Sequence, residues 1–283
     1  MIQKRLVGVI TVKQGWAVQS FGFQRHLPLG RPEVVAENLD RWGVDEILLQ
    51  CIDRSRVGAG QGLGPDLALL DRLSRQGLST PLVYQGGIRT VDDGVAAVQA
   101  GAERIAIDSL LRDDPATAAA LAGPLGAQAV IAALPLAWQD GALQWLDHRH
   151  HPTAARATPL GADLLAVLRS GAISEALLID WRHEGHSGGF DDALLDHWPV
   201  PGLPLIAFGG LGDPLRLRQV LQRPAVAAAG VGNALAWREH AVQQFKTALL
   251  GLPLRQPVYA AAPCPAGRFV HPLPARGAAR SPC

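Results

Sequence analysis

A chain of 283 residues with 48% hydrophobic content is long enough for one large core. Its 26 Lys and Arg nearly balance 25 Asp and Glu, for a formal net charge of +1, and the charges are scattered rather than blocked; no global field gathers nucleic acid or an anionic membrane, so neither is expected as a partner. Cys51, Cys264 and Cys283 make neither a disulfide framework nor a CxxC knuckle, the start lacks the regions of a leader peptide, and no apolar run nears the ~20 residues of a membrane span, so a cytoplasmic protein is expected.

In chain order, short runs of Val, Ile, Leu and Ala alternate with longer amphipathic segments. Strands are predicted at "RLVGVI" (5–10), "EILLQ" (46–50), "PLVYQ" (81–85), "RIAID" (104–108), "AVIAAL" (129–134), "EALLI" (175–179), "PLIAF" (204–208) and "AVAAAGV" (225–231). Helices are predicted over about 31–42, 65–76, 90–100, 114–122, 160–169, 191–197, 213–222 and 237–249, several opened by Pro, Asp or Thr. Strands apolar on both faces suit a parallel sheet covered by helices, and eight strand–helix rounds match a TIM (βα)8 barrel. "TPLVYQGGIRTVDD" (80–93) is echoed by "LPLIAFGGLGDPLR" (203–216), and "DEILLQ" (45–50) by "SEALLI" (174–179), so the barrel reads as two similar half-barrels over 1–252. Residues 253–283, rich in Pro, Ala, Gly and Arg without periodicity, read as a disordered or loosely docked tail whose His271 and Cys264 are incidental.

The repeat carries the first candidate chemistry. Gly86-Gly87 and Gly209-Gly210 follow corresponding strands, and without Cβ atoms their backbones can approach an anion and offer N–H groups. The next strand in each half ends in Asp108-Ser109 or Gly232-Asn233, where a helix N-terminus would complete an anion cup. A lone Gly-Gly pair marks a tight turn as readily as a cup, but the recurrence favours two phosphate sites for a two-ended phosphorylated ligand. Asp108 is discordant beside a phosphate and suits a hydroxyl or an amine better. The histidine cluster "DHRHH" (147–151) lacks i, i+4 ligand spacing and reads as a polar lid rather than a zinc site; no metal or cofactor is expected.

"KRLVGVITVKQGWAV", "GVDEILLQCID", "YQGGIRTVDD", "AGAERIAIDS", "EGHSGGFD" and "LIAFGGLGD", taken in order up to about residue 250, resemble the cyclase subunit of imidazole glycerol phosphate synthase, the HisF family. The resemblance implies a barrel that receives ammonia from a glutaminase (HisH-like) partner at its N-terminal face and uses it at the C-terminal face on a bisphosphorylated ribonucleotide. It also implies an ammonia gate of Arg5, Glu46, Arg104 and Glu175, for which a purely structural plug is the alternative, and a docking charge at Glu103. The family's two catalytic acids fall on Thr11 and Pro135 and its first-loop lysine on Gln19, and neither Thr nor Pro does carboxylate acid–base work. Thr11 is left a positioning or packing role. Cys51, where the family often has an acid, reads as a small buried hydrophobe rather than a nucleophile. Glu184 aligns with a functional aspartate, in a loop with Arg182, His183 and His186, cationic neighbours suited to lowering its pKa or binding a sugar or phosphate; a solvated loop charge is the alternative. Glu184, Thr11 and Asp108 are thus the catalytic candidates.

A kept gate, kept cups and lost acids resemble the branch that serves surface-polysaccharide sugar amidation. The reading is an ammonia-channelling synthase subunit acting on a phosphorylated or nucleotide-linked sugar in surface glycan (lipopolysaccharide) biosynthesis. The alternatives are a non-catalytic barrel that docks and activates a glutaminase, a sugar-phosphate isomerase, and authentic cyclase activity in histidine biosynthesis.

Overall fold

The computed structural model describes residues 3–54, 63–148, 156–237 and 240–255. Eight parallel strands close a barrel: β1 (Arg5–Lys13), β4 (Glu46–Cys51), β5 (Leu82–Gln85), β6 (Arg104–Ile107), β7 (Val130–Gln139), β10 (Glu175–Asp180), β11 (Leu205–Phe208) and β12 (Val226–Val231). Closure runs through Arg5↔Ala228 on one seam and Glu175↔Ile131 between the halves. The remaining strands are two antiparallel arms at the ends of β1 and β7, namely β2 (Trp16–Phe21) with β3 (Arg25–Gly30), and β8 (Ala142–Asp147) with β9 (Arg156–Pro159).

Alternation along each barrel strand sorts side chains into two cores. Leu6, Ile10 and Val12 of β1 point outward to the helices, whereas Val7 and Val9 join Leu48, Val83, Ile131, Leu177 and Phe208 in the lumen. Gly8 lets α1 (Pro32–Trp42) approach closely: a Cβ there would lie 2.8 Å from Leu39 Cδ1 and displace that side chain. The outer helices begin where the chain supplies partners for their first N–H groups. Thr90 and Asp93 form a capping box at α3 (Val91–Gln99), Asp66 caps α2 (Leu67–Ser74), and Asp213 with Pro214 opens α9 (Pro214–Gln222).

Several elements depart from the sequence reading. The four arm strands lie outside the eight predicted ones, and in the first arm Pro28 sits within β3 where it interrupts strand periodicity. Two short helices, α4 (Ser109–Asp113) and α10 (Ala234–Trp237), precede α5 (Pro115–Ala120) and α11 (Ala241–Ala248), so the helix expected over 237–249 is not continuous across the described residues. α6 (Ala122–Leu125), α7 (Ala162–Arg169) and α8 (Ala193–Asp196) complete the set. The barrel also extends past residue 252, because Lys4 N–H donates to Pro253 O at 2.7 Å and Arg255 N–H to Lys4 O at 3.0 Å. The rest of the expected tail, with His271 and Cys264, lies outside the described residues.

Candidate functional site

At the strand starts, Arg5, Glu46, Arg104 and Glu175 face inward and form a closed ring of alternating charge. Arg5 reaches Glu46 at 3.3 Å and Glu175 at 2.6 Å; Arg104 reaches Glu46 at 3.1 Å and Glu175 at 2.6 Å. Arg104 also donates to Ser174 Oγ at 2.9 Å and Gln128 O at 3.1 Å. Each guanidinium bridges the same two buried carboxylates, which offsets desolvation that an isolated pair would not. Glu103 is exposed beside this face. Above the ring the lumen is apolar, and Phe23 from the first arm packs against its upper layer.

At the strand ends the alternation brings Thr11, Gln50, Gln85, Asp108 and Pro135 to the opposite mouth. Gln50 Nε2 donates to Gln85 Oε1 at 3.1 Å, and Gln50 Oε1, in a side chain only 3% exposed, has no partner among the described residues. The inward parity of Glu46 and Leu48 already marks Gln50 as lumen-facing, a signal the sequence reading passed over. Asp108 Oδ2 pairs with His148 Nδ1 at 3.0 Å. Gly86, Gly87, Asp108, Ser109, Pro135 and His148 border one cavity of about 70 Å3 at this mouth. Thr11, Glu184, Gly209, Gly210, Gly232 and Asn233 border a second of about 380 Å3.

The two Gly-Gly turns share one backbone solution. Gly86 and Gly87 have φ of 140° and 69°, Gly209 and Gly210 of 103° and 70°. A Cβ on Gly86 would lie 2.5 Å from Cys51 O, and one on Gly209 2.4 Å from Asp180 O, the matching carbonyl of the other half. Tight packing therefore accounts for the glycines, and cup chemistry rests on their N–H groups. The N–H groups of Gly210, Leu211 and Gly212 donate to no acceptor among the described residues, which is the arrangement of an anion-binding nest. The expected help from a helix N-terminus is small at the first cup, where α4 has five residues, too few aligned peptides for a substantial dipole. The Asn233 side chain is occupied as well, its Nδ2 donating to Ser20 O at 2.7 Å and Gly185 O at 3.2 Å while its Oδ1 accepts from Ser20 N–H.

Glu184 departs most from expectation. It is 2% exposed and clasps the first arm, accepting from Ser20 Oγ and Phe23 N–H, each at 3.1 Å, while its carbonyl accepts from Gly22 N–H at 3.0 Å. Burial pushes its carboxyl above the usual glutamate range, although these donors oppose the shift. The expected lowering by cationic neighbours fails because burial dominates and two of the three are engaged elsewhere. His183 Nδ1 pairs with Asp180 Oδ2 at 2.7 Å, and Arg182 donates to Gln139. Cys51 is buried beside the Tyr84 hydroxyl, and burial pushes its thiol up to about 12, which removes it as a nucleophile. Of "DHRHH", Asp147 ends β8 and His148 follows it; the other three residues lie outside the described residues.

A parallel barrel with an ion ring at one end and paired glycine turns at the other matches a family model described as "Histidine biosynthesis protein" over residues 5–241. Within that class the chain belongs to the HisF family. It is 32% identical over 239 residues to the "Imidazole glycerol phosphate synthase subunit HisF" of Myxococcus xanthus (strain DK1622), covering 83% of this chain and 90% of that protein. The protein of the same name from Geobacillus thermodenitrificans (strain NG80-2) is 27% identical over 250 residues, covering 88% and 97%. A "Putative imidazole glycerol phosphate synthase subunit hisF2" of Vibrio vulnificus (strain YJ016) is 26% identical over 264 residues, covering 91% and 94%. No helix among the described residues is long and apolar enough to cross a membrane.

Proposed function

We propose that this HisF-family barrel is an ammonia-using synthase subunit that takes nitrogen from a glutaminase partner through the Arg5–Glu46–Arg104–Glu175 ring and delivers it to a phosphorylated or nucleotide-linked sugar at the opposite mouth. The observation that carries the reading is this axis: a narrow charged ring, an apolar lumen suited to neutral ammonia, and two glycine-turn cups beyond it. With Thr11 and Pro135 in place of acids, proton transfer falls to Asp108, whose carboxylate orients His148 at the mouth; Thr11 positions, and Glu184 holds the first arm in place. A surface-glycan sugar is the substrate class this reading favours.

The absent acids also support a second reading, a barrel that docks and activates a glutaminase without chemistry of its own. Titration calorimetry with a sugar bisphosphate and its monophosphate tests the two cups: the bisphosphate should bind at least tenfold tighter, and equal affinity sinks the two-phosphate reading. A glutaminase from the same genome should be stimulated by the barrel under both readings. Nitrogen incorporation into an added phosphosugar occurs under the first alone.

A further inference from the structure

The two cups differ in what lies behind them. The first is a cavity of about 70 Å3 confined to the barrel mouth, whereas the second, at about 380 Å3, continues past Gly232 along the outer side of β1 and β12 toward α1. Its far wall is mainly apolar, made by Ile10, Val18, Leu29, Val34, Leu39 and Trp42, with Arg31 and Asn38 as its polar members. The sheet residues at its floor, Ile10 and Val231, are each 2% exposed, so the chamber is a recess between β1, β12 and α1 rather than an open face of the sheet. Leu29, Val34 and Trp42 are 40%, 53% and 40% exposed at its rim, and a cluster of large apolar side chains at one opening marks a binding surface. The volume is that of a small-molecule site and far above that of a packing void.

We propose that this chamber binds the apolar substituent of a phosphate ester whose phosphate rests on the N–H groups of Gly210, Leu211 and Gly212. The proposal rests on the reading of the second turn as a phosphate cup and adds the chemistry of the ligand's far side. A hydroxylated group in the chamber would lose most of its hydrogen bonds to water against walls that are apolar except at Arg31 and Asn38. A hydrocarbon alcohol esterified to the phosphate gains there instead, while a sugar on the same phosphate or diphosphate extends over the barrel mouth. Two different ends follow: a small polar one at the first cup and an apolar one beyond the second.

The test is a ladder of methyl, butyl and hexyl phosphate, with hexanol and a sugar bisphosphate as comparisons, each titrated calorimetrically into the full chain. A fully buried methylene strengthens binding roughly fourfold, so hexyl phosphate should bind at least tenfold tighter than methyl phosphate, and Val34→Trp at the chamber's rim should erase that gain. A flat ladder with the sugar bisphosphate still binding overturns the chamber and leaves the two-cup reading standing. Failure of the ladder and the bisphosphate together overturns both, and hexanol binding as tightly as hexyl phosphate overturns the phosphate-ester assignment.

Discussion

Arg5→Ala removes one of the two cations that hold the ring closed. Glu46 and Glu175, 2% and 6% exposed, lose the contacts at 3.3 Å and 2.6 Å and are left with Arg104 alone. Breaking a buried ion pair from one side costs about 3–5 kcal/mol. The Arg5 side chain is 17% exposed, so water reaches its edge of the ring, and the expected loss falls to about 2–4 kcal/mol. Urea unfolding reads this as a lower midpoint at unchanged m. Adding Glu175→Gln to Arg5→Ala removes an uncompensated charge and should restore about half the loss. A loss under about 1 kcal/mol, with no recovery in the double variant, would refute the account of a buried, mutually dependent ring. The same variant separates gate from plug: a gate loses nitrogen transfer from glutamine while free ammonia is still used, whereas a plug loses both in proportion to stability.

Two further outcomes follow from burial. The folded Glu184 carboxyl titrates above its ordinary value of 4.5, so its contribution to stability is full below that pH and is lost as pH rises through the raised folded value. Glu184→Gln keeps an oxygen for Phe23 N–H and Ser20 Oγ, so its Tm should gain on the parent chain between pH 4 and 8; a difference constant over that range contradicts the assignment. Cys51, with its thiol pushed up to about 12, should resist an aromatic disulfide reagent in a Cys264→Ser/Cys283→Ser background until the chain is unfolded; labelling within minutes of mixing under native conditions shows that the site opens.

The barrel was legible because both faces of each parallel strand are buried, which writes continuous apolar runs such as "EILLQ" and "EALLI" that local reading finds. The ring residues are marked only by resemblance, since a single charge at the start of four of the eight strands carries no periodic signal. What stayed hidden is tertiary. Glu184 looks like a solvated loop acid in "RHEGHSGG", and only the arm folding over from β1 buries it. The arms themselves were partly written in the chain. Gln14-Gly15 and Asp140-Gly141 have φ of 53° and 78°, and of 52° and 75°, the paired positive values of a two-residue hairpin turn that Asp-Gly signals strongly. The predicted elements pass over "QDGAL", where that signal stands.

Those matching turns mean that the duplication reaches the arms as well as the barrel, each half carrying one over the shared mouth. Their fastenings differ. Each is held from the opposite half but by different chemistry: the first by the Glu184 carboxylate and the Asn233 amide, the second by Arg112, whose guanidinium lies 3.8 Å over the Trp145 ring and donates to Trp145 O. A mouth with perfect twofold likeness would accept a two-ended molecule in either direction and so align its reactive centre correctly only half the time. Unequal fastening gives the entrance a head and a tail. These contacts also tie the halves together at the top, so that neither half expressed by itself would keep its own arm in its seat.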